Sequence, residues 1–250
     1  MVERTDSGLR ALHFSTAATQ TLINPQHPQQ LQLEYTAVMS LALLMVEQPK
    51  RVLLIGLGGG ALLQHIFHYF PQLEIHVIER RQAVIDVAQK YFFLPSDQRI
   101  KFFTADAQQQ LKQLAGHYDV IFNDAYSQSG PDISLYSEQV YQQFQRLLSR
   151  QGVVINNLWQ RRIHDNHQLL GCLRQYFSEM AYHQDNDGRS LVLFTGNQPW
   201  QKSVWQQRCQ EMATHCQQPL ATLQRSVRYS LRRLKMWLWI KGLLSSLGRR

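Results

Sequence analysis

The segment Arg51-Val-Leu-Leu-Ile-Gly-Leu-Gly-Gly-Gly-Ala-Leu-Leu-Gln-His65 constrains the fold of this chain more than any other. An apolar run stops abruptly at glycine, and a helical pattern begins at once. A continuous apolar run of this length has the composition of a strand buried on both faces. Gly56, Gly58, Gly59 and Gly60 allow a tight turn and let backbone approach a ligand with no Cβ in the way. A second apolar run (Ile75, Val77, Ile78) then delivers Glu79, 23 residues past Gly56, a carboxylate well placed to accept ribose hydroxyls. Strand, glycine turn, helix, strand and acid in this order describe a nucleoside-binding α/β domain.

The alternation continues along the chain. Strands are expected near 51–56, 74–79, 100–104, 118–124, 151–158, 180–185 and 190–196. Helices are expected near 60–70, 81–91, 107–114, 136–148, 164–177 and 200–216. This pattern means a parallel sheet with helices on both faces. Asp185-Asn186-Asp187-Gly188 is a hairpin signal between the last two strands. Five parallel strands followed by a helix and a hairpin predict the seven-stranded sheet of the class I S-adenosylmethionine-dependent methyltransferase type, a Rossmann-like α/β fold, rather than a nicotinamide fold. Ahead of it, residues 1–32 read as short strands and turns broken at Asn24-Pro25 and His27-Pro28, and Leu33 to Val46 as a buried helix. The expected organisation is a short β/helix region (1–48), the nucleoside-binding α/β domain (49–198), a C-terminal helical segment (199–224) and a basic tail (225–250).

Charge matters only through its distribution. The net charge is +8, and eight Lys/Arg with no acid fall between Arg225 and Arg250. Without those eight, the 26 basic residues drop to 18, equal to the 18 acids, so the body is neutral and a nucleic-acid partner is not expected. Three irregularly spaced cysteines (Cys172, Cys209, Cys216) suit a reducing compartment, and Cys209, His215 and Cys216 fit no standard zinc spacing, so no metal is expected. With no signal-peptide apolar region at Met1-Val-Glu-Arg-Thr-Asp6 and no run of 18 apolar residues, the expected location is the cytoplasm.

Four positions fall just past the carboxyl ends of strands, where such sheets bind ligands. They are the glycine loop, Glu79, Asp106 and Asp124. Asp106 is placed to take an adenine amino group or, in the plainer reading, to cap the helix after it. Asp124 ends Tyr118-Asp-Val-Ile-Phe-Asn-Asp124, beside the place of a reacting group; Asp119 sits at the start of that strand and reads as structural. Asn157 and Trp159 end the fifth strand and either wall the site or pack.

These residues resemble the spermidine synthase (polyamine aminopropyltransferase) family, and the chain looks like a divergent bacterial member. The likeness runs from about Gly8 to Trp159 and includes Leu33-Glu-Tyr-Thr, Ile55-Gly-Leu-Gly-Gly-Gly60, Val77-Ile-Glu79, Ala105-Asp106-Ala107, Tyr118 to Asp124, Gly130-Pro131 and Leu135-Tyr-Ser-Glu-Gln-Val-Tyr141. The resemblance implies decarboxylated S-adenosylmethionine as donor substrate, a small primary amine as acceptor and no permanently bound cofactor. It also implies that Glu79 holds ribose, Asp106 adenine, and that Asp124 acts on the attacking amine. Tyr126 and Tyr35 would be hydrogen-bonding partners, Gln20 would lie near the donor, and Gly56, Gly58 and Gly60 would form the donor loop. Two positions depart from the family pattern: Gly59 and Ser127 stand where aspartates are usual. The missing loop acid makes intact S-adenosylmethionine conceivable, so a methyltransferase is the runner-up. Further readings are a nucleoside-binding protein that has lost its chemistry and a nicotinamide enzyme, since Gly56-Leu-Gly-Gly-Gly-Ala61 formally satisfies the dinucleotide fingerprint.

In the tail, Val227, Leu231, Leu234 and Leu238 share one face of a helix written through Arg225–Arg250, and Met236-Trp-Leu-Trp-Ile240 follows. Aromatic and apolar residues among Arg and Lys suit a helix lying on an anionic membrane surface, peripheral to its inner face. The alternatives are docking on the body or on a second copy in a homodimer, with RNA contact the least favoured.

Overall fold

The computed structural model describes residues 1–15, 18–127, 130–159, 171, 173–185 and 190–229. The chain opens with strands β1 (Val2–Arg4), β2 (Arg10–Ser15) and β3 (Ala18–Ile23), a three-stranded antiparallel sheet. Helix α1 (Glu34–Ser40) tightens into a 3-10 turn over Leu41–Leu44. Then come β4 (Arg51–Ile55), α2 (Ala61–Tyr69), β5 (Glu74–Glu79), α3 (Gln82–Tyr91), β6 (Ile100–Thr104), α4 (Ala107–Gln113) and β7 (Tyr118–Asn123). A small ribbon, β8 (Tyr126–Ser127) and β9 (Gly130–Pro131), leads through a 3-10 turn at Ile133–Tyr136 into α5 (Glu138–Leu147) and β10 (Leu148–Trp159). The chain continues with β11 (Glu179–Gln184), β12 (Ser190–Gly196), α6 (Lys202–Cys216) and α7 (Leu220–Ser226).

The main sheet has seven strands in the order β11-β12-β10-β7-β4-β5-β6. β10, β7, β4, β5 and β6 are mutually parallel, whereas β12 runs antiparallel to both neighbours. Alternate side chains feed two cores. Val52, Leu54, Val120, Phe122, Val153 and Ile155 join the helices α1, α2, α3 and α6 on one face. Leu53, Ile55, Ile121, Val154 and Leu158 meet α4 and α5 on the other. Both faces of each central strand are therefore dry, which is why these strands read as unbroken apolar runs.

The structure amends several expectations. The helix from Leu33 to Val46 is α-helical only to Ser40; the 3-10 winding that follows turns the Leu41 carbonyl toward Trp205, whose Nε1–H donates to it at 2.9 Å. The expected tail helix does not begin at Arg225. Helix α7 ends at Ser226, Val227 is extended and buried, and Arg228 pairs with Tyr182 in an antiparallel bridge. Tail residues 230–250, the loop 186–189 and most of the expected helix 164–177 lie outside the described residues. Among the described residues, no helix is long and apolar enough to cross a membrane and no cluster of side chains could hold a metal ion. Cys209 and Cys216 are buried free thiols, and burial pushes Cys209 up to about 12.

A buried histidine ties the flank of the sheet together. His183 of β11 contacts Ser226 Oγ of α7 through Nδ1 (2.6 Å) and Glu34 of α1 through Nε2 (3.0 Å). Asp119 plays the corresponding part at the opposite end of β7. Its Oδ2 accepts from the amides of Lys50 and Arg51 (2.8 and 3.1 Å), and its Oδ1 from Ser149 Oγ (2.8 Å), linking β7 to both neighbours. Asp119→Ala is expected to lower stability by about 1–3 kcal/mol through these orphaned donors, with ligand binding at the far end of the strand unchanged. Denaturant melts and a donor titration on one preparation check both halves of that expectation.

Candidate active site

The site is built where β4, β5 and β7 end together. Ile55 of β4 lies opposite Asn123 of β7, and the Asp124 amide donates to the Ile55 carbonyl at 3.0 Å. Gly56 follows with φ +91° and donates its amide to Ile78 O at 2.9 Å. A Cβ on Gly56 would stand 2.5 Å from the Asp124 carbonyl oxygen and 2.9 Å from Ala125 Cα. Only glycine lets the two chain crossings touch here. Gly60, also at positive φ, caps α2 and packs against Leu94.

Most of the loop's donors are already engaged. Leu57 N donates to Glu79 Oε2 (3.1 Å), Gly59 N to Thr21 Oγ1 (2.7 Å) and Gly60 N to Leu57 O (2.9 Å). Glu79 also accepts from Arg81 N at 3.0 Å through Oε1. A carboxylate set into the loop, with these amides turned inward, is a poor cradle for a pyrophosphate. Together with the antiparallel β12, this counts against the nicotinamide reading.

Two connected compartments open over this junction. The outer cleft encloses about 1110 Å³ and is lined by Ile78, Glu79, Arg80, Asp106, Asp132 and Leu135 among others. The inner one encloses about 530 Å³ beneath β3 and α1, against Gln20, Tyr35, Gly58 and Asp124. Gly56, Glu79 and Tyr126 line both. Asp106 caps α4 as the plainer reading expected, its Oδ1 accepting from Gln108 N and Gln109 N (3.0 and 3.3 Å). Asp132 does the same for the 3-10 turn after β9, accepting from Ser134 N and Oγ through Oδ1. In each case one oxygen serves the backbone, while the residue still lines the outer cleft.

Asp124 is the most perturbed acid of the site. Burial raises its pKa from 3.8 to about 7, against the opposing effect of a 2.8 Å bond from Asn157 Nδ2 to Oδ1. Tyr35, Tyr126 and Tyr136 surround it; burial, with the nearby negative charge of Asp124, pushes all three phenols up. They are neutral donors at any physiological pH. Tyr35 Oη donates to Gln20 O (3.3 Å), and Tyr136 Oη to Asn157 O (2.9 Å), so strands β3 and β10 are both pinned to the acid's surroundings.

The fold therefore gathers Gln20, Gly56, Gly58, Glu79, Asp106, Asp124 and Tyr126 around one double cleft; Gly60 shapes the turn and faces Leu94 instead. Asn157, expected either to wall the site or to pack, is bonded directly to Asp124. Thr21, Asp132 and Tyr136 escaped sequence reasoning. Thr21 reaches the glycine loop from a separate sheet, a contact no local pattern signals; Asp132 follows Gly130-Pro131 and was legible only as a turn residue.

Residues 32–185 match the family model of the spermine/spermidine synthase domain. The chain belongs to that family. A polyamine aminopropyltransferase of Chromobacterium violaceum is 31% identical over 160 residues, 63% of this chain and 61% of the relative. The chain thus spans about three fifths of the length of that synthase relative. Among solved structures, a probable spermidine synthase from Corynebacterium glutamicum superposes with a TM-score of 0.73 at 16% identity, covering 83% of this chain and 82% of that one. Human methyltransferase-like protein 13, in complex with SAH, gives 0.68 at 22% identity, covering 75% and 94%. The spermidine synthase domain is thus built here on the class I methyltransferase-type sheet.

The Asn157 N–H stabilises the ionised form of Asp124, so its loss disfavours the charged state further. Asn157→Leu is expected to move the Asp124 titration from near 7 to higher pH, read as the carboxyl carbon shift in an NMR titration. An unmoved midpoint would show that this bond does not set the acid.

Proposed function

We propose that the protein is a transferase that moves an alkyl group from a sulfonium donor of the S-adenosylmethionine type to a small amine, in the first instance an aminopropyl group from decarboxylated S-adenosylmethionine, as in polyamine biosynthesis. The observation that carries this reading is Asp124, a carboxyl titrating near 7 between a nucleoside-sized cleft and a smaller inner compartment. The outer cleft would take the adenosine, with the second lone pairs of Glu79 accepting ribose hydroxyls and the remaining oxygen of Asp106 accepting from the adenine amine. The sulfonium would sit where Gly56, Glu79 and Tyr126 face both compartments, and the acceptor nitrogen would lie beside Asp124.

The chemistry asks little beyond alignment and one proton. The amine lone pair forms the new N–C bond while the C–S bond breaks, its electron pair leaving on a neutral thioether. An ammonium has no lone pair to give, so a carboxylate titrating near neutrality is matched to removing its proton. Tyr126 would hold the donor and acceptor in line. Family membership supports the reading, as does the likeness to a named aminopropyltransferase.

A specific observation favours a second reading, methyl transfer from intact S-adenosylmethionine. Gly59 stands where the family carries an acid, and a Cβ there would press on Phe92 and Thr21 at 2.8 Å. No carboxylate can enter at that point to repel the donor's own. Calorimetric titration with each donor separates the two readings: tighter binding of the decarboxylated form supports aminopropyl transfer, tighter binding of the intact form supports methyl transfer, and binding of neither refutes both.

Asp124→Asn is expected to lower kcat by about 10²–10⁴-fold with donor affinity retained. In the wild type, kcat/KM should rise about tenfold per unit below pH 6 as Asp124 loses its proton, and level off above about 8. A profile flat from pH 5 to 8 would remove Asp124 as the base.

A further inference from the structure

The inner compartment carries more information about the acceptor than the family likeness does. Among the described residues, Glu79 and Asp124 are the acids that line it. Glu79 already accepts from Leu57 N and Arg81 N and, in the reading above, from ribose. Asp124 is then the one anion left for the acceptor. The remaining wall is largely aliphatic, with Leu22, Leu33, Leu57 and Leu62 facing the space. The hydroxyls among them are engaged: Thr21 Oγ1 accepts from Gly59 N, Thr36 Oγ1 donates to Leu33 O at 2.7 Å, and Tyr35 donates to Gln20 O.

The charges of the ternary complex sharpen the point. The sulfonium brings one positive charge, and a decarboxylated donor adds an ammonium. A diamine acceptor would bring a second nitrogen, protonated at neutral pH, into a wall with no further carboxylate. An ionised group left in such surroundings without a partner is strongly disfavoured. An acceptor with one nitrogen, deprotonated by Asp124 as it attacks, leaves no unpaired charge behind.

We propose that the inner compartment selects a primary amine carried on an apolar chain and discriminates against diamines. This rests on the sulfonium-transfer reading but on neither choice of donor, because the acceptor wall is the same for both. The reaction balances as before: nitrogen gains the alkyl group, sulfur leaves as a thioether, and the amine proton passes to Asp124.

The test is a competition. Wild-type protein, supplied with whichever donor binds in calorimetry, is offered n-butylamine and 1,4-diaminobutane at equal concentration, and the alkylated products are quantified by mass spectrometry. The butylamine product is expected in at least about tenfold excess. Leu33→Asp should move the ratio toward the diamine by about tenfold. Leu33 lines the compartment at the N-cap of α1 with no capping bond of its own, so an aspartate there suits the helix as well. Equal or greater product from the diamine on wild-type protein overturns the proposal. So does the absence of product from both amines while the donor binds, an outcome that spares the donor reading. Failure of either donor to bind removes that reading, and the acceptor proposal falls with it.

Discussion

The contact on which the rest of the molecule depends is the approach of Gly56 to the backbone of Asp124. Two parallel strands, β4 and β7, end at the same level, and the chain leaving one must cross the chain leaving the other. Gly56 N bonds to Ile78 O on one side, Asp124 N bonds to Ile55 O on the other, and a methyl group at Gly56 would fall 2.5 Å from a carbonyl oxygen. The donor loop and the reactive carboxylate are thus registered by hydrogen bonds and by the missing Cβ, not by side-chain contacts that could slip. Rigid backbone is what a reaction limited by alignment requires.

The acids around the cleft each serve the fold and the ligand at once. Glu79 accepts from Leu57 N and Arg81 N, Asp106 caps α4, and Asp132 caps the turn after β9. An ionised carboxylate has more lone pairs than a single backbone partner uses, so capping and ligand binding are compatible roles. That dual use also fixes the rotamers: a side chain held by the amides it caps meets the ligand already oriented. Asp124 differs, since its bond comes from an amide side chain, Asn157, and its ionisation is left poised rather than secured.

Much of this was legible in the residues alone, for reasons specific to each element. β4, β5, β7 and β10 are dry on both faces, so they appear as apolar runs, and the glycines and acids that end them mark the ligand edge. The N-terminal sheet was seen only as loose strands because its essential contact, Thr21 to Gly59, spans 38 residues and leaves no periodic trace. Helix α7 and the tail were run together because Val227 continues an apolar helical spacing. In the structure Gln217 adopts a left-handed conformation and Pro219 opens a new short helix, after which Val227 turns into the core. The spacing there records burial against the body, and helical periodicity was the wrong inference from it. Asp106 shows the opposite case, where two readings of one acid, cap and ligand contact, are compatible in a single geometry.

The pairing of Arg228 with Tyr182 has a bearing on self-association. Tyr182 N donates to Arg228 O at 2.8 Å and Arg228 N to Tyr182 O at 2.7 Å, so the outer rim of β11 meets a piece of its own chain. Unpaired strand rims are templates for foreign strands. At the far rim, β6 presents Lys101, whose charge discourages such stacking. One rim is guarded by charge and the other by a stitch contributed from beyond α7. The residues around 227–229 therefore belong to the globule, and a chain shortened ahead of them would expose a sticky border to its neighbours in concentrated solution.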